Sequence, residues 1–181
     1  PNHLKRTNYF YLMENQNLCQ AFKDSCCFRL NEAVRMIEIA LSKVKPSQGW
    51  ERPNNHTLSL ANQLLHLNGN MTQYILATLG DQFDERLRDE EFTLQEGESV
   101  MNLWTSLKTT VEEAKQCIET CTEGDFTRVY EVQGFELAGA DVALHAVEHF
   151  SYHTGQIAFW VKQLTNAPLG FYEGFDLNSK I

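Results

Sequence analysis

The chain has 181 residues, 43% of them hydrophobic and 22% charged, the balance of an ordinary soluble globular protein large enough to bury a core. Its formal net charge of -9, with no stripe of clustered Lys and Arg, argues against a nucleic-acid backbone as partner. No apolar run approaches the roughly 20 residues needed to span a bilayer, so a membrane partner is not expected either.

The N-terminal stretch "PNHLKRTNYFYLMENQ" carries a few basic residues but no continuous apolar segment of the signal-peptide kind. The chain begins with Pro1 rather than Met, which leaves open whether its start is native. The expected compartment is the cytoplasm. The first predicted helix covers about 15–45, with Leu18, Phe22, Leu30, Val34, Ile37, Leu41 and Val44 at mixed three- and four-residue steps. Pro46 and Gly49 end it. A second helix runs over about 57–79, entered through a Thr or Asn cap and stopped at Gly80.

The segment "DQFDERLRDEEFTLQEGE" that follows is mostly charged and reads as a solvated connection, long enough to cross over along a bundle. A third helix, about 99–121, has an apolar stripe of Val100, Leu103, Trp104, Leu107, Val111, Ala114 and Ile118. "FTRVYEVQGFEL" then alternates enough for a short strand or an extended loop, and no repeated strand pattern supports a sheet. A fourth helix, about 141–165, is capped by Asp141 and ends before Pro168. The reading is all-α: one domain over 1–181, a four-helix bundle with long inter-helix connections.

The five cysteines form no regular framework, which argues against a disulfide scaffold and fits a reducing compartment. Cys117 and Cys121 stand one helical turn apart and can meet a metal. With no His or second Cys pair nearby, ordinary half-buried thiols are the expectation.

Three of the six histidines lie in "HAVEHFSYHTGQIAFW". At about 100° per residue, Val142, Ala146, Phe150, Ile157, Trp160 and Leu164 define one apolar face. His149 and His153 fall near its middle, and His145 is displaced toward its edge. Histidines four apart can present nitrogens to one ion. A buried imidazole needs a partner in any case, so two core histidines bonded to carbonyls or carboxylates are the alternative. A third ligand would come from another helix, and the candidates are His3, His56 and His66. On the wheel His66 lies off the apolar stripe of Leu64, Met71, Ile75 and Leu79, among Asn62, Gly69, Asn70 and Gln73. Periodicity alone favours a solvated face for that strip over an internal polar one in which Gly69 permits close approach.

Taken together, "NHTLSLANQLLHLNGNMTQYI", "RDEEF" and "HAVEHFSYHTGQIAF" resemble the DinB-like superfamily of helical-bundle metalloenzymes. The nearest likeness is to an uncharacterised bacterial branch with an "HL-G-N" segment and an "H-x-x-x-H-x-G-Q-I" ending, and it runs from about Trp50 to Ile157. The resemblance implies a divalent metal held by His66, His149 and His153. It leaves His145 open, as a residue behind the ligands, a pocket acid or base, or a surface residue. Gln156 either shapes the pocket or is exposed. Glu148, adjacent to His149, points about 100° away and is not expected to be catalytic.

Three neutral imidazoles suit zinc, nickel or another divalent ion and leave a position for water or substrate. Activated water would make the protein a hydrolase, and an activated low-molecular-weight thiol would make it an S-transferase. Thiol-using transferases occur among the resembled proteins, so thiol transfer to a small-molecule substrate leads. A non-enzymatic metal-binding stress-response protein and a metal-free helical dimerisation module are the competing classes. A homodimer is compatible with bundles of this kind.

Overall fold

The computed structural model describes residues 17–179. Four long helices form the bundle: α1 (Leu18–Leu41), α2 (Leu60–Met71, widening into a π-helical stretch over Thr72–Leu79), α4 (Val100–Thr120) and α6 (Gly139–Thr165). Between them lie two short helices, α3 (Arg88–Thr93) and α5 (Glu123–Thr127), and one antiparallel hairpin, β1 (Val129–Val132) with β2 (Phe135–Ala138). α4 and α6 each pack on both α1 and α2, whereas α1 and α2 face each other across the core. This all-α bundle of four long helices matches the predicted class. Among the described residues no helix is long and apolar enough to cross a membrane.

The predicted stripes form the core. Val100, Leu103, Trp104, Leu107, Val111, Ala114 and Ile118 of α4 are all buried, as are Val142, Ala146, Phe150 and Ile157 of α6. At about 25 cal/mol per Å² of apolar surface removed from water, such stripes supply the main folding drive. In α1 the pattern holds for Leu30, Ile37 and Leu41 and fails for Leu18, which is exposed on the first turn.

Several boundaries differ from expectation. α1 stops at Leu41, before Pro46, because Lys43 and Val44 close tighter turns onto Ala40 and Leu41. Residues 15 and 16 of the predicted helix lie outside the described residues. α2 is capped by Ser59 rather than by Thr57 or an Asn; its Oγ accepts from the N–H of Asn62 at 3.1 Å. α6 starts at Gly139, and Asp141 does not cap it. The Gly139 N–H donates to the Arg128 carbonyl at 2.9 Å, so β2 feeds straight into the helix. A Cβ at Gly139 would collide with the backbone of Asp125, which explains the glycine.

The largest correction concerns the charged connection after α2. Its residues Arg88–Thr93 fold as α3, and Glu91 among them is buried although most of the segment is exposed, as expected. Asn62, fully buried on the first turn of α2, fixes this segment. Its Nδ2 donates to the carbonyls of Glu91 and Leu94, each at 2.9 Å, and its Oδ1 accepts from Ser59 Oγ at 2.6 Å.

Replacing Asn62 by Ala leaves buried carbonyls unpaired and is expected to cost about 2–3 kcal/mol. Urea unfolding should show this as a lower midpoint with an unchanged slope. An unaltered midpoint would mean that Asn62 does not anchor α3.

Candidate metal centre

The polar strip on α2 turns inward. Asn62, His66 and Asn70 are all buried, so the strip faces protein rather than solvent. Opposite it, α6 presents His149, half-buried, and His153, buried. One ligand-type atom from each of His66, His149 and His153 lies within 4.8 Å of the others, a group able to hold a metal ion. The ring centres are evenly spaced, at 4.9 Å for His66–His149 and His66–His153 and 4.6 Å for His149–His153.

The second row of contacts sets which nitrogens face inward. His66 Nδ1 sits 2.8 Å from Glu91 Oε2, and both side chains are almost inaccessible. Arg86 grips the same carboxylate with a fork, Nε to Oε1 at 2.7 Å and Nη2 to Oε2 at 2.8 Å. Burial alone would raise the Glu91 carboxyl, but the hydrogen bonds from Arg86 and His66 outweigh it and hold the group below its ordinary range. An ionised carboxylate only accepts, so His66 Nδ1 carries the proton and Nε2 keeps its lone pair.

That lone pair points at His149. The two Nε2 atoms are 2.9 Å apart, and His149 therefore supplies the proton between them in the absence of an ion. Two nitrogens on one tetrahedral ion at about 2.0–2.1 Å each stand about 3.3 Å apart, so small ring rotations suffice to admit one. His153 Nδ1 lies 3.4 Å from Gln63 Oε1, which leaves its Nε2 for the interior. Carboxylate and carbonyl partners behind ligand histidines are the usual means of fixing tautomer and ring orientation.

Both α6 histidines are held neutral. Burial, the larger cause for both, pushes His149 down to about 3 and His153 down to about 4, and any positive charge on the neighbouring histidines acts in the same direction. Neutral imidazole is the form that binds a metal.

Gly69 permits this arrangement: a Cβ there would collide with the Glu91 carboxylate and lie 2.7 Å from Arg86 Nε. Arg86 Nη1 also donates to Gln73 Oε1 at 2.8 Å, which in turn accepts from Gln133 Nε2 at 2.6 Å. Gln133, at the tip of the β1–β2 hairpin, also accepts from the Tyr74 hydroxyl at 3.2 Å. Tyr74 stacks on His145 at 4.3 Å between ring centres, and His145 lies nearly parallel to His149 at 5.6 Å. The π-helical stretch widens the turns that carry Gln73 and Tyr74, a distortion frequent at functional sites.

A family model described as a protein of unknown function (DUF1572) matches residues 17–170. The chain belongs to the DUF1572 family. Among solved structures, a DinB-like protein from Bacillus cereus ATCC 10987 superimposes with a TM-score of 0.63 at 12% identity. The match covers 81% of this chain and 92% of the other. No curated protein matches. At that identity the structural likeness carries the fold of this DUF1572 chain, and the site rests on its own geometry.

The structure brings together the three histidines named from the resemblance. It leaves His56 exposed in the turn before α2, and His3 lies outside the described residues. His145 is half-buried beside the group, not within it. Cys121 is buried and Cys117 half-buried, and neither joins a metal-ligand group among the described residues. Sequence reasoning missed Glu91, Arg86, Gln63 and Tyr74. Glu91 had a signal, since it lies within "RDEEF", but composition disguised it as solvated charge.

A histidine whose folded pKa lies below its ordinary 6.5 is protonated first in the unfolded chain. Metal-free protein should therefore lose stability as pH falls from 6.5 to about 4. Glu91, held below 4.5, adds its own loss only further down. Urea midpoints measured at about pH 7 and about pH 5 test this. His149→Gln should flatten the dependence, and an equally steep one in that variant would contradict the assignment.

Proposed function

We propose that the chain is a divalent-metal-dependent enzyme, with His66, His149 and His153 as the ligands and transfer of a small-molecule thiol to an electrophile as the reaction. Zinc or nickel is the preferred ion, since three neutral imidazoles suit both. The observation that carries the reading is the convergence of three imidazoles with no fourth His, Cys or carboxylate in the group among the described residues. Glu91 cannot fill that place, because Arg86 and His66 occupy both its oxygens. Three protein ligands mark catalytic rather than structural zinc sites.

When bound, the ion would supply a Lewis acid that brings the pKa of a thiol or a water toward neutrality. The chain's own residues do the rest. Glu91 and Arg86 hold His66 in the tautomer that offers Nε2, and Gln63 does the same for His153. The half-buried edge of His149 gives the group access from outside, and Tyr74 and His145 wall that side. Thiol-using transferases occur in the superfamily that the chain resembles, which favours a thiol as the activated group.

One observation favours hydrolysis as the second reading. His145 lies beside His149 and neither of its ring nitrogens has a hydrogen-bond partner among the described residues, so it is placed to take a proton from water. The stress-response reading, in which metal serves only to stabilise the bundle, requires a protein that unfolds when the metal is stripped.

Elemental analysis of purified protein should find one divalent ion per chain. His149→Ala and His153→Ala should each lose it with little change in helical circular dichroism. Glu91→Gln should weaken affinity about 10–100-fold in competition with a chromogenic chelator. Full metal content in both histidine variants would sink the ligand assignment. Conjugation of an electrophile, assayed with several thiols and with water alone, separates transferase from hydrolase. Retention of fold in the stripped protein separates both from a purely structural role.

A further inference from the structure

We infer that Arg88 and Phe92 form an anion subsite at the mouth of the three-histidine group, which selects a small molecule bearing a carboxylate away from the atom that meets the metal. This rests on the metal-dependent reading above and goes beyond it in naming the charge of the ligand and the residue that reads it.

The subsite is built by α3. Residues 88 and 92 are four apart and share one face of that helix. Glu91 reaches under His66 from the adjacent face. The Phe92 ring packs against the His66 ring with centres 4.8 Å apart, tilted at 56°. The Arg88 guanidinium carbon lies over the same Phe92 ring, 4.8 Å from its centre. Two such contacts in series put a permanent positive charge within small-molecule reach of a ligand histidine.

Its neighbour Arg86 is fully engaged by Glu91 and Gln73. Arg88 is exposed and makes no ion pair or hydrogen bond among the described residues. Resting one face of the guanidinium on an aromatic ring leaves the in-plane N–H fork free. That fork matches the two oxygens of a carboxylate.

The field at the mouth agrees. Burial raises the pKa of the Tyr74 hydroxyl, and the charges of Arg86 and Arg88 act against that rise, so Arg88 is felt where Tyr74 stacks on His145. The chain as a whole carries a net charge of -9. Arg88, a guanidinium without an ion pair among the described residues, offers an anion a cationic foothold on an otherwise acidic protein. An uncharged apolar substrate would gain nothing from it.

The test uses cobalt(II)-loaded protein and succinic monohydroxamate, a general metal-binding probe with a distal carboxylate, against its uncharged amide. Dissociation constants are read from the perturbed cobalt absorption. Wild type should bind the carboxylate form about tenfold tighter. Arg88→Gln should abolish the preference while leaving amide affinity and the probe-free cobalt spectrum unchanged, and Arg88→Lys should retain part of it. A wild-type protein without preference, or a preference that survives in Arg88→Gln, would overturn the subsite and show that Arg88 merely covers Phe92. A protein that takes up no cobalt fails before any probe is added, and that result overturns the metal reading and the subsite with it.

Discussion

The Glu91 carboxylate, buried between Arg86 and His66, is the contact on which the rest of the site depends. Taking a carboxylate and a guanidinium out of water is expensive, and attraction between them repays the cost only when every remaining lone pair and proton is satisfied. Here both oxygens are engaged, and the third donor is an imidazole that must therefore turn its other nitrogen toward α6. One electrostatic requirement thus settles a tautomer, a ring orientation and the position of α3. It also explains why Gly69 must lack a side chain and why Asn62 holds the α3 backbone with two hydrogen bonds. Removing one partner of such a triad leaves an uncompensated buried charge, so the three residues stand or fall together.

The bundle is legible in the sequence because helical burial is periodic. The stripe from Val100 to Ile118 follows from residue spacing alone, and every member is buried. The hairpin shows only as weak alternation, because two four-residue strands give the pattern little length in which to repeat. Boundaries shift where tertiary contacts decide them. Asp141 is a good cap by type, but Gly139 already has a partner in the Arg128 carbonyl.

The site divides differently. His149 and His153 announce themselves by spacing on one helical face. His66 does not, because a buried polar strip and a solvated one look alike on a wheel. Only what faces the strip distinguishes them, and here that is α3, folded from a segment whose charge suggests solvent. Arg86 and Glu91 cancel each other's charge in space, five residues apart in sequence, across a bend that composition does not show. The resemblance supplies His66 and, although "RDEEF" is one of the segments that carry it, assigns no role to the carboxylate behind that histidine.

The hairpin turn offers a last consequence. Gln133 and Gly134 both adopt positive φ, at 51° and 78°, so this is a tight two-residue turn on the surface. Such tips are ordinarily where a fold tolerates extra residues or a break in the chain. In this protein the tip is stitched through Gln73 and Arg86 to the carboxylate behind His66. Length at that turn is thereby constrained by chemistry two helical turns back along the same strip of α2, and the ornament on the bundle becomes one of its least editable parts.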